Sequence, residues 1–598
     1  MFRKIGYLKS GTKRSVPKRF LFFDTESRIE KQNEKITALP FRLGIAIFAE
    51  YGNDYQVKIR NIIRFHNVSD FISILRRYLK KRNTLQVVAH NIAHDIMTLD
   101  LVQELHKAGF VSQPPIMNNR LFIWRVSSEQ GNAVFFDTAN YSIISVESLG
   151  KDLGFPKLKI DFDNCTDDEL FVYCERDVAV LEKFMTNYLT FVKDNNLGGF
   201  CYSLASQALA AWRYRFMEQS IFIHNHPDLL QLERDGYHGG RVECFFIGTK
   251  LNEQHYYLDI NSMYPHCMRE YQLPYRPHSY NKNVSIKQLN AGMANYYAIA
   301  RVELNTKTNA FPYIRGDRLI FPTGKFTTVL HHSELEIALK THSIVKVIEL
   351  GLYEQSYLFR DYVDFFYSMK LDAEKRQDGT YRLMAKLFLN SLYGKFAQHN
   401  VIRRKLDGEY PDIIFRAGGF NQPENYRFQE FIWFGDAYEE RKQGETAHSS
   451  PALAGAITAI ARTLLYLYIN KAGPRDCLYC DTDSLIVTAN GYNKLLSDCA
   501  NGVLGKLKIE RQSTRLRIYA PKDYLFGNQK RHKGIPNKAE RIDINVWLVD
   551  EWLGVKTWIS DGATGIPYIT RHRKEAKHVY NKGIVDEKTG YVSPFYLR

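Results

Sequence analysis

Cysteine is scarce in this chain. Eight residues of 598, at no framework spacing, exclude a disulfide-stapled fold and suit a reducing compartment. Internal repeats and low-complexity tracts are also lacking, which excludes a solenoid or a disordered tether. The first apolar run, residues 20–23, is too short for a secretory signal. An unbroken apolar run of membrane length is missing as well. Residues 451–469 come near it, but Arg462 stands in the middle. That segment is expected to be a buried helix beneath an active site, with no membrane association.

Acid is the other shortage. With 65 Asp+Glu against 81 Lys+Arg the formal net charge is +16. A surplus of that size favours a polyanionic partner, because each cation seated on a phosphate releases condensed counterions. The 38 Tyr and 37 Phe tip the choice from an anionic membrane toward nucleic acid, since aromatic faces among basic residues suit base stacking. No acid occurs in the first 23 residues. They read as a basic arm touching DNA, with a mitochondrial address as the alternative. A chain of 598 residues is expected to divide into about two to four domains.

Soft metal ligands are not in evidence. Cys477 and Cys480 have C-x-x-C spacing, but on a strand residues three apart point to opposite faces, so a zinc reading is rejected. His90 with His94, and His224 with His226, have no obvious partner set and read as satisfied or exposed side chains.

Carboxylates are what the chain does have in pattern. Tyr479-Cys480-Asp481-Thr482-Asp483-Ser484 stands between Leu478 and the run Leu485-Ile486-Val487, so two short strands are expected with the acid pair at their turn. Tyr256-Tyr257-Leu258-Asp259-Ile260-Asn261-Ser262-Met263-Tyr264-Pro265 puts a further aspartate at the close of an apolar run. A lone D-x-D reads as a solvated acidic turn, and the second acidic strand end reverses that. Three carboxylates on two converging strands could clamp two hard cations about 4 Å apart, the arrangement used for in-line attack on phosphorus.

A second set lies in the block 20–198, where strands alternate with helices such as 69–80, with Ser69 as its N-cap. Asp24 and Glu26 share one side of a strand end, Asp95 follows the apolar run 85–89, and Tyr173 and Asp177 share a helix face. Four acids from three elements are equipment for two-metal hydrolysis of a phosphodiester, with Tyr173 orienting the water.

These motifs, in this order, resemble the family B DNA polymerases over nearly the whole chain. Asp24-Thr25-Glu26, residues 91–95 and residues 173–177 resemble the three motifs of the family's 3′–5′ proofreading exonuclease. Residues 259–265 resemble motif A, Lys386-Leu387-Phe388-Leu389-Asn390-Ser391-Leu392-Tyr393-Gly394-Lys395 motif B, and residues 479–484 motif C. Lys522-Asp523-Tyr524 resembles the K-x-Y motif that holds the primer strand. Tyr237-His238-Gly239-Gly240-Arg241 resembles the linker motif of the protein-primed subgroup of phages and linear plasmids.

The resemblance implies roles. Asp259, Asp481 and Asp483, with the Ile260 carbonyl, would hold two Mg²⁺ ions (or Mn²⁺) at the synthesis site. Asp24, Glu26, Asp95 and Asp177 would hold two more at the exonuclease site. Tyr264 would exclude a 2′-hydroxyl, Lys386 would neutralise the triphosphate, and Asn390 and Tyr393 would line the nucleotide pocket. Tyr237, Gly239, Gly240, Arg241, Asn91, Tyr479, Thr482, Lys522 and Tyr524 would contact DNA, and Lys159 would assist the exonuclease. His94 stands where an aromatic residue is usual and Ala139 where Leu is usual, so proofreading is expected to be tuned rather than lost.

The expected fold is α/β and α+β, multidomain: an N-terminal arm 1–19, an RNase H-like exonuclease domain 20–198, and a right-hand polymerase domain 199–598. Within the last, the palm takes 225–280, 345–360 and 450–525, a first insertion 281–344, the fingers 361–397, a second insertion 398–449 and the thumb 526–598. The resemblance implies a monomer in the host cytoplasm, or alternatively the mitochondrion. It would act on primer–template and single-stranded DNA with dNTPs, start on a terminal protein and displace the non-template strand. The rival expectations are a primer-independent polymerase of the same family and a catalytically dead DNA-binding scaffold. Acids at all seven metal positions argue against the scaffold.

Overall fold

One mixed sheet carries the N-terminal block. Its strands Arg19–Ser27, Phe41–Tyr51, Leu85–Ala89 and Gly131–Asp137 are almost wholly buried, as apolar strands covered on both faces must be. Leu85–Ala89 runs parallel to both neighbours, Arg19–Ser27 and Gly131–Asp137. The helix Asp167–Asp194 packs across this sheet and starts with a capping box between Thr166 and Glu169. The helix Val68–Tyr78 is capped by Asn67, whose Oδ1 accepts from the Asp70 N–H at 2.9 Å. Ser69, the expected cap, lies inside the first turn.

The computed structural model describes residues 3–11, 15–117, 121–408, 415–421, 426–560 and 564–598. The expected N-terminal arm, second insertion and thumb therefore lie partly outside the described residues, at 1–2 and 12–14, at 409–414 and 422–425, and at 561–563. Where it is described, the arm is anchored to the body of the protein, with Lys4 and Lys9 exposed. Gly6–Leu8 pairs antiparallel with Ile221–Ile223, and Arg3 donates to the Ser449 carbonyl at 2.7 Å.

A second sheet assembles segments far apart in sequence. Its spatial order is Val242–Cys244, Cys477–Asp481, Ser484–Thr488, Gly248–Ile260, Leu507–Ala520, Asp523–Phe526 and Gln529–Arg531. The helix Pro451–Ala472 is, among the described residues, the one helix long and apolar enough to cross a membrane, yet 83% of its apolar window is buried inside the protein. It is a core helix. Cys477 and Cys480, expected on opposite faces, pack into the same core, because a bulge between Cys477 and Tyr479 breaks the alternation. Both remain free thiols.

Leu273–Lys282, Ile344–Ser356, Tyr297–Thr306 and Thr323–His331 form a further antiparallel sheet. Leu273–Lys282 pairs with Ile344–Ser356 along its length, so this sheet runs straight through the boundaries expected at 281 and 345. The helices Arg360–Lys375 and Gly379–Ser391 pack on each other. The strands His399–Lys405, Asp436–Glu445, Tyr426–Trp433 and Phe415–Asn421 make a four-stranded antiparallel sheet in that order.

These parts are tied together across the expected domain limits. Trp433 Nε1 donates to Ser112 Oγ at 3.2 Å, and Arg403 donates to the Pro114 and Pro115 carbonyls at 2.6 and 3.2 Å. Tyr568–Glu575 pairs with Ile36–Ala38 of the N-terminal block. Finally, Tyr596–Leu597 joins Thr323–His331 as a parallel edge strand. That last contact depends on a glycine. Gly324 has φ +94°, and a Cβ there would lie 1.9 Å from the Leu597 carbonyl oxygen. Gly324→Ala should detach the C-terminal strand at a cost of roughly 1–3 kcal/mol, and limited proteolysis should then trim the C-terminus. Unchanged protection of the C-terminus would refute the pairing.

Candidate functional site

Asp24 and Glu26 leave one side of the strand Arg19–Ser27. Between them, the Thr25 N–H and hydroxyl both donate to Asp95 Oδ1, at 3.0 and 2.7 Å, which anchors the helix Ile92–Thr98 to the strand end. Asp137, at the end of its own strand, accepts from the Asn91 and Ile92 N–H groups, both at 3.0 Å. Asn91 sits in the left-handed region at φ +59° to make this possible. Asp177 and Tyr173 come from one face of Asp167–Asp194. Lys157 pairs with Asp177 and lies 4.6 Å from the centre of the Tyr173 ring.

This cluster holds more negative charge than its lysine offsets. Burial, then repulsion from Asp95, Glu26 and Asp177, pushes the Asp24 carboxyl well above its ordinary range. Burial and Asp177 raise Glu26 to about 7, and burial raises Asp95 to about 8 against the opposing hydrogen bonds from Thr25. Ligand atoms of Asp24, Glu26 and Cys174 lie within 4.8 Å of one another. Burial and the neighbouring acids keep the Cys174 thiol protonated, so the usable donors are carboxylate oxygens. That donor set suits Mg²⁺ or Mn²⁺.

Two lysines stand near these acids. Lys159 is exposed on an open groove that Tyr173 also lines, and Lys157 turns in to pair with Asp177. Asp137 is absent from the expected set, although it closes an apolar run just as Asp24 does. His94 and Ala139 line a cavity of about 410 Å³ with Asn91, Met97, Asp137 and Trp552. The His94 ring meets Trp552 edge-on at 5.4 Å. Of the four histidines singled out in the sequence, His94 has a buried Nε2 without a hydrogen-bond partner among the described residues, whereas His90 pairs with Thr138 Oγ1 at 2.8 Å, His224 with Glu233 at 2.8 Å, and His226 caps a helix.

The second cluster is made by the hairpin. Asp481 pairs with Ser484, so Thr482 and Asp483 form a two-residue turn, with Thr482 at φ +62°. Asp259 lies on the adjacent strand opposite Ser484, and the Ile260 N–H donates to the Asp483 carbonyl at 2.8 Å. The three acids thus converge at one end of the sheet. Burial, then Asp259 and Asp481, raises Asp483 to about 6, and burial raises Asp259. Lys508 Nζ is 3.4 Å from Asp259, and Lys522 Nζ is 3.4 Å from Asp481.

Near this cluster Tyr264 stacks on Tyr393 at 4.5 Å, with the rings 16° apart. Lys386 and Asn390 are exposed one turn apart on Gly379–Ser391. Lys370 and Lys508, outside the expected set, extend the cationic side: burial lowers the Lys370 ammonium pKa, helped by repulsion from Lys508, Lys386 and Arg382.

Three expected DNA contacts are buried instead. Arg241 is 1% exposed, pairs with Glu243 at 2.6 Å and lies 4.2 Å over the Phe321 ring. Tyr479 is enclosed behind the hairpin, where its hydroxyl accepts from the Lys522 N–H at 2.9 Å. Tyr524 is enclosed in the same core. These side chains brace the turn rather than face a ligand. Gly240 is also a packing residue, since a Cβ would lie 2.8 Å from Thr482 Cγ2. Tyr237, Gly239, Asn91, Thr482 and Lys522 keep exposed surface.

A family model described as DNA polymerase type B, organellar and viral, matches residues 161–407. The chain is 25% identical over 409 residues to a DNA polymerase of Kluyveromyces lactis, covering 61% of this chain and 39% of that protein. It is 29% identical over 263 residues to the DNA-directed DNA polymerase of Enterobacteria phage PRD1, covering 42% and 43%. The chain therefore spans about two fifths of the length of these curated relatives. Phi29 DNA polymerase complexed with primer-template DNA and incoming nucleotide substrates aligns with a TM-score of 0.68 at 16% identity, over 94% of this chain and 100% of that one. Phi29 DNA polymerase complexed with single-stranded DNA aligns with a TM-score of 0.64 at 16% identity, over 93% and 92%. The chain shares that polymerase's fold over nearly its whole length.

Because the two acid clusters stand on separate sheets, divalent ions should bind at two independent places. In a Mn²⁺ titration followed by electron paramagnetic resonance, Glu26→Gln and Asp483→Asn should each weaken one class of bound ion by about tenfold or more and spare the other. Loss of both classes from either substitution, in a chain with native circular dichroism, would refute two separate sites.

Proposed function

From a chain that belongs to the type B DNA polymerases of the organellar and viral kind, we propose a DNA-directed DNA polymerase with a 3′–5′ exonuclease. The observation that carries this reading is the convergence of Asp259, Asp481 and Asp483 at one sheet end, with the Tyr264–Tyr393 stack close enough to feel the Asp483 charge. Mg²⁺, or Mn²⁺ in its place, two ions at each acid cluster, would supply charge neutralisation and a more acidic attacking oxygen.

The protein's own groups have separate tasks. Lys386, Lys370 and Lys508 give a triphosphate a cationic seat. Tyr264 lies flat on Tyr393 and occupies the space a ribose 2′-hydroxyl would need, while Asn390 shares the exposed helix face with Lys386. Lys522, exposed beside the hairpin with its Nζ 3.4 Å from Asp481, would grip a primer strand. At the other cluster Asp24, Glu26, Asp95 and Asp177 would seat the ions for removal of a 3′-terminal nucleotide. Lys157 holds Asp177 and the Tyr173 ring in place there.

The proposed substrates are primer–template DNA, single-stranded DNA and dNTPs, handled by a monomer in a cytoplasm or an organelle, with the host cytoplasm as the specific proposal. Palm, fingers and thumb roles fall to the seven-stranded sheet, to the helix pair Arg360–Lys375 and Gly379–Ser391, and to the strands beyond residue 526. The test is separation of the activities. Asp483→Ala should reduce nucleotide addition by about a thousandfold or more and leave degradation of single-stranded DNA. Asp24→Ala with Asp177→Ala should do the reverse. Loss of both activities from one lesion in a folded chain would defeat the two-site assignment.

The finer proposal is that synthesis starts on the hydroxyl of a terminal protein and displaces the non-template strand. Support comes from the linker, where Gly239 is exposed and Tyr237 half-buried, and from the added sheets that flank the helix pair. With a candidate small basic partner and one labelled dNTP, a covalent protein–nucleotide adduct should form. Long products on circular single-stranded DNA, with no partner and no primer, would favour the primer-independent alternative.

A further inference from the structure

Asp523 separates Lys522 from Tyr524 and is 4% exposed. Its carboxylate serves two histidines. His532 Nδ1 lies 2.9 Å from Oδ1, and His578 Nδ1 lies 2.7 Å from Oδ2. A carboxylate offers only acceptors, so each ring donates through its Nδ1–H. His532 follows Gln529–Arg531, the last strand of the seven-stranded sheet. His578 follows Tyr568–Glu575, in the sheet that the C-terminal strands share with Ile36–Ala38.

The two rings are held firmly on their far sides. His578 adopts φ +44°, stacks on Tyr519 at 4.1 Å, and its Nε2 lies 3.1 Å from the side-chain amide of Asn545. His532 lies 4.7 Å from the Trp547 ring. One buried carboxylate therefore joins the end of the last strand of the seven-stranded sheet, through His532, to the C-terminal strands, through His578. The residue before it, Lys522, is bound into the hairpin: φ +62°, its N–H to the Tyr479 hydroxyl at 2.9 Å, and its Nζ 3.4 Å from Asp481. Direct hydrogen bonds from both rings to the carboxylate leave no gap for an ion between them.

We propose that Asp523, His532 and His578 form a positioning clip. It sets the C-terminal strands on the sheet that carries the hairpin, and with them the seat from which Lys522 grips a primer strand. This deepens the polymerase reading above and rests on it. None of the three residues touches the reacting atoms. The clip should therefore govern how tightly and how long primer–template is held, not the rate of the chemical step.

The test uses the full chain with His532→Ala, His578→Ala, the matching Asn variants and Asp523→Asn. Asparagine restores a donor near the Nδ1 position and tolerates a positive φ at 578. Four quantities are read: primer–template affinity by fluorescence anisotropy, nucleotides added per binding event with a DNA trap, kcat of single-nucleotide insertion at saturating DNA, and exonuclease on short single strands. The Ala variants should weaken primer–template binding by about fivefold or more and shorten products, with kcat within about twofold and exonuclease unchanged. The Asn variants should recover most of the affinity, and Asp523→Asn, which keeps one acceptor, should fall between. Wild-type affinity and product length in the Ala variants would overturn the clip. So would Asn variants as impaired as Ala, or kcat falling in step with affinity. Where an Ala variant fails to fold, Asp523→Asn decides on the same readouts. Anisotropy needs no chemistry, so a wild-type chain that binds but cannot extend a primer would overturn the polymerase reading while the clip is still judged on affinity.

Discussion

Arg462 lies in the middle of the apolar helix Pro451–Ala472, where a guanidinium is costly unless every donor is used. Its Nε and Nη2 donate to Glu334 Oε1 at 3.0 and 2.8 Å, and its Nη1 donates to the His238 and Gly239 carbonyls at 2.8 and 3.1 Å. Glu334 belongs to His332–Lys340, on the sheet built from Leu273–Lys282 and its partners. The two carbonyls belong to the linker ahead of Val242–Cys244. From there the linkage continues without a gap. Gly240 packs on Thr482, and the Thr482 N–H donates to the Arg241 carbonyl at 2.8 Å. One buried cation thus ties a core helix, a second sheet and the linker to the turn that presents Asp481 and Asp483. Removing either charged partner would strand the other in the core, at a cost of roughly 3–5 kcal/mol.

The two acid clusters pull the other way. Glu26 at about 7, Asp95 at about 8 and Asp483 at about 6 all titrate above the ordinary carboxylate range, because burial and like charges disfavour ionisation. The folded chain therefore holds protons that an unfolded chain has already released. By linkage these groups stabilise the fold at low pH, and their contribution is lost as pH rises from the ordinary carboxylate range to about 8. Near neutrality the fold carries this strain, and a divalent cation bound among the acids would relieve it.

Much of the site was legible because its acids stand at strand ends. Asp24, Asp259 and Asp481 each close an apolar run, and strand ends that pair in one sheet bring their side chains together. What escaped the sequence depends on local irregularities that motif spacing does not encode. The bulge after Cys477 places two cysteines on one side, against simple alternation. Lys157 and Lys159 are equally basic, and only the path of the chain past Pro156 decides which meets Asp177. Arg241, Tyr479 and Tyr524 belong to motifs that resemble DNA contacts, yet each lies behind the turn it accompanies. A motif fixes residue identity near a site, whereas the direction of the side chain follows from register and burial.

Domain limits were the least legible feature, for a related reason. Sequence reading cuts a chain where composition changes, but cores form wherever apolar surfaces meet. Phe431, Trp433 and Tyr438 of the four-stranded sheet, and Trp558 and Ile559 near the C-terminus, share one core with Phe71 and Trp124 of the N-terminal block. The pairing of Ile36–Ala38 with Tyr568–Glu575 joins segments more than five hundred residues apart, so no local pattern announces it. These closures lock the N-terminal block to the C-terminal strands, and the hydrogen bond from His578 to Asp523 joins those strands to the sheet of the hairpin. The two acid clusters therefore stand on different sheets yet belong to one connected body. A strand end transferred between them would move across one connected body, and its path would be set by the same contacts that hold the sheets in register.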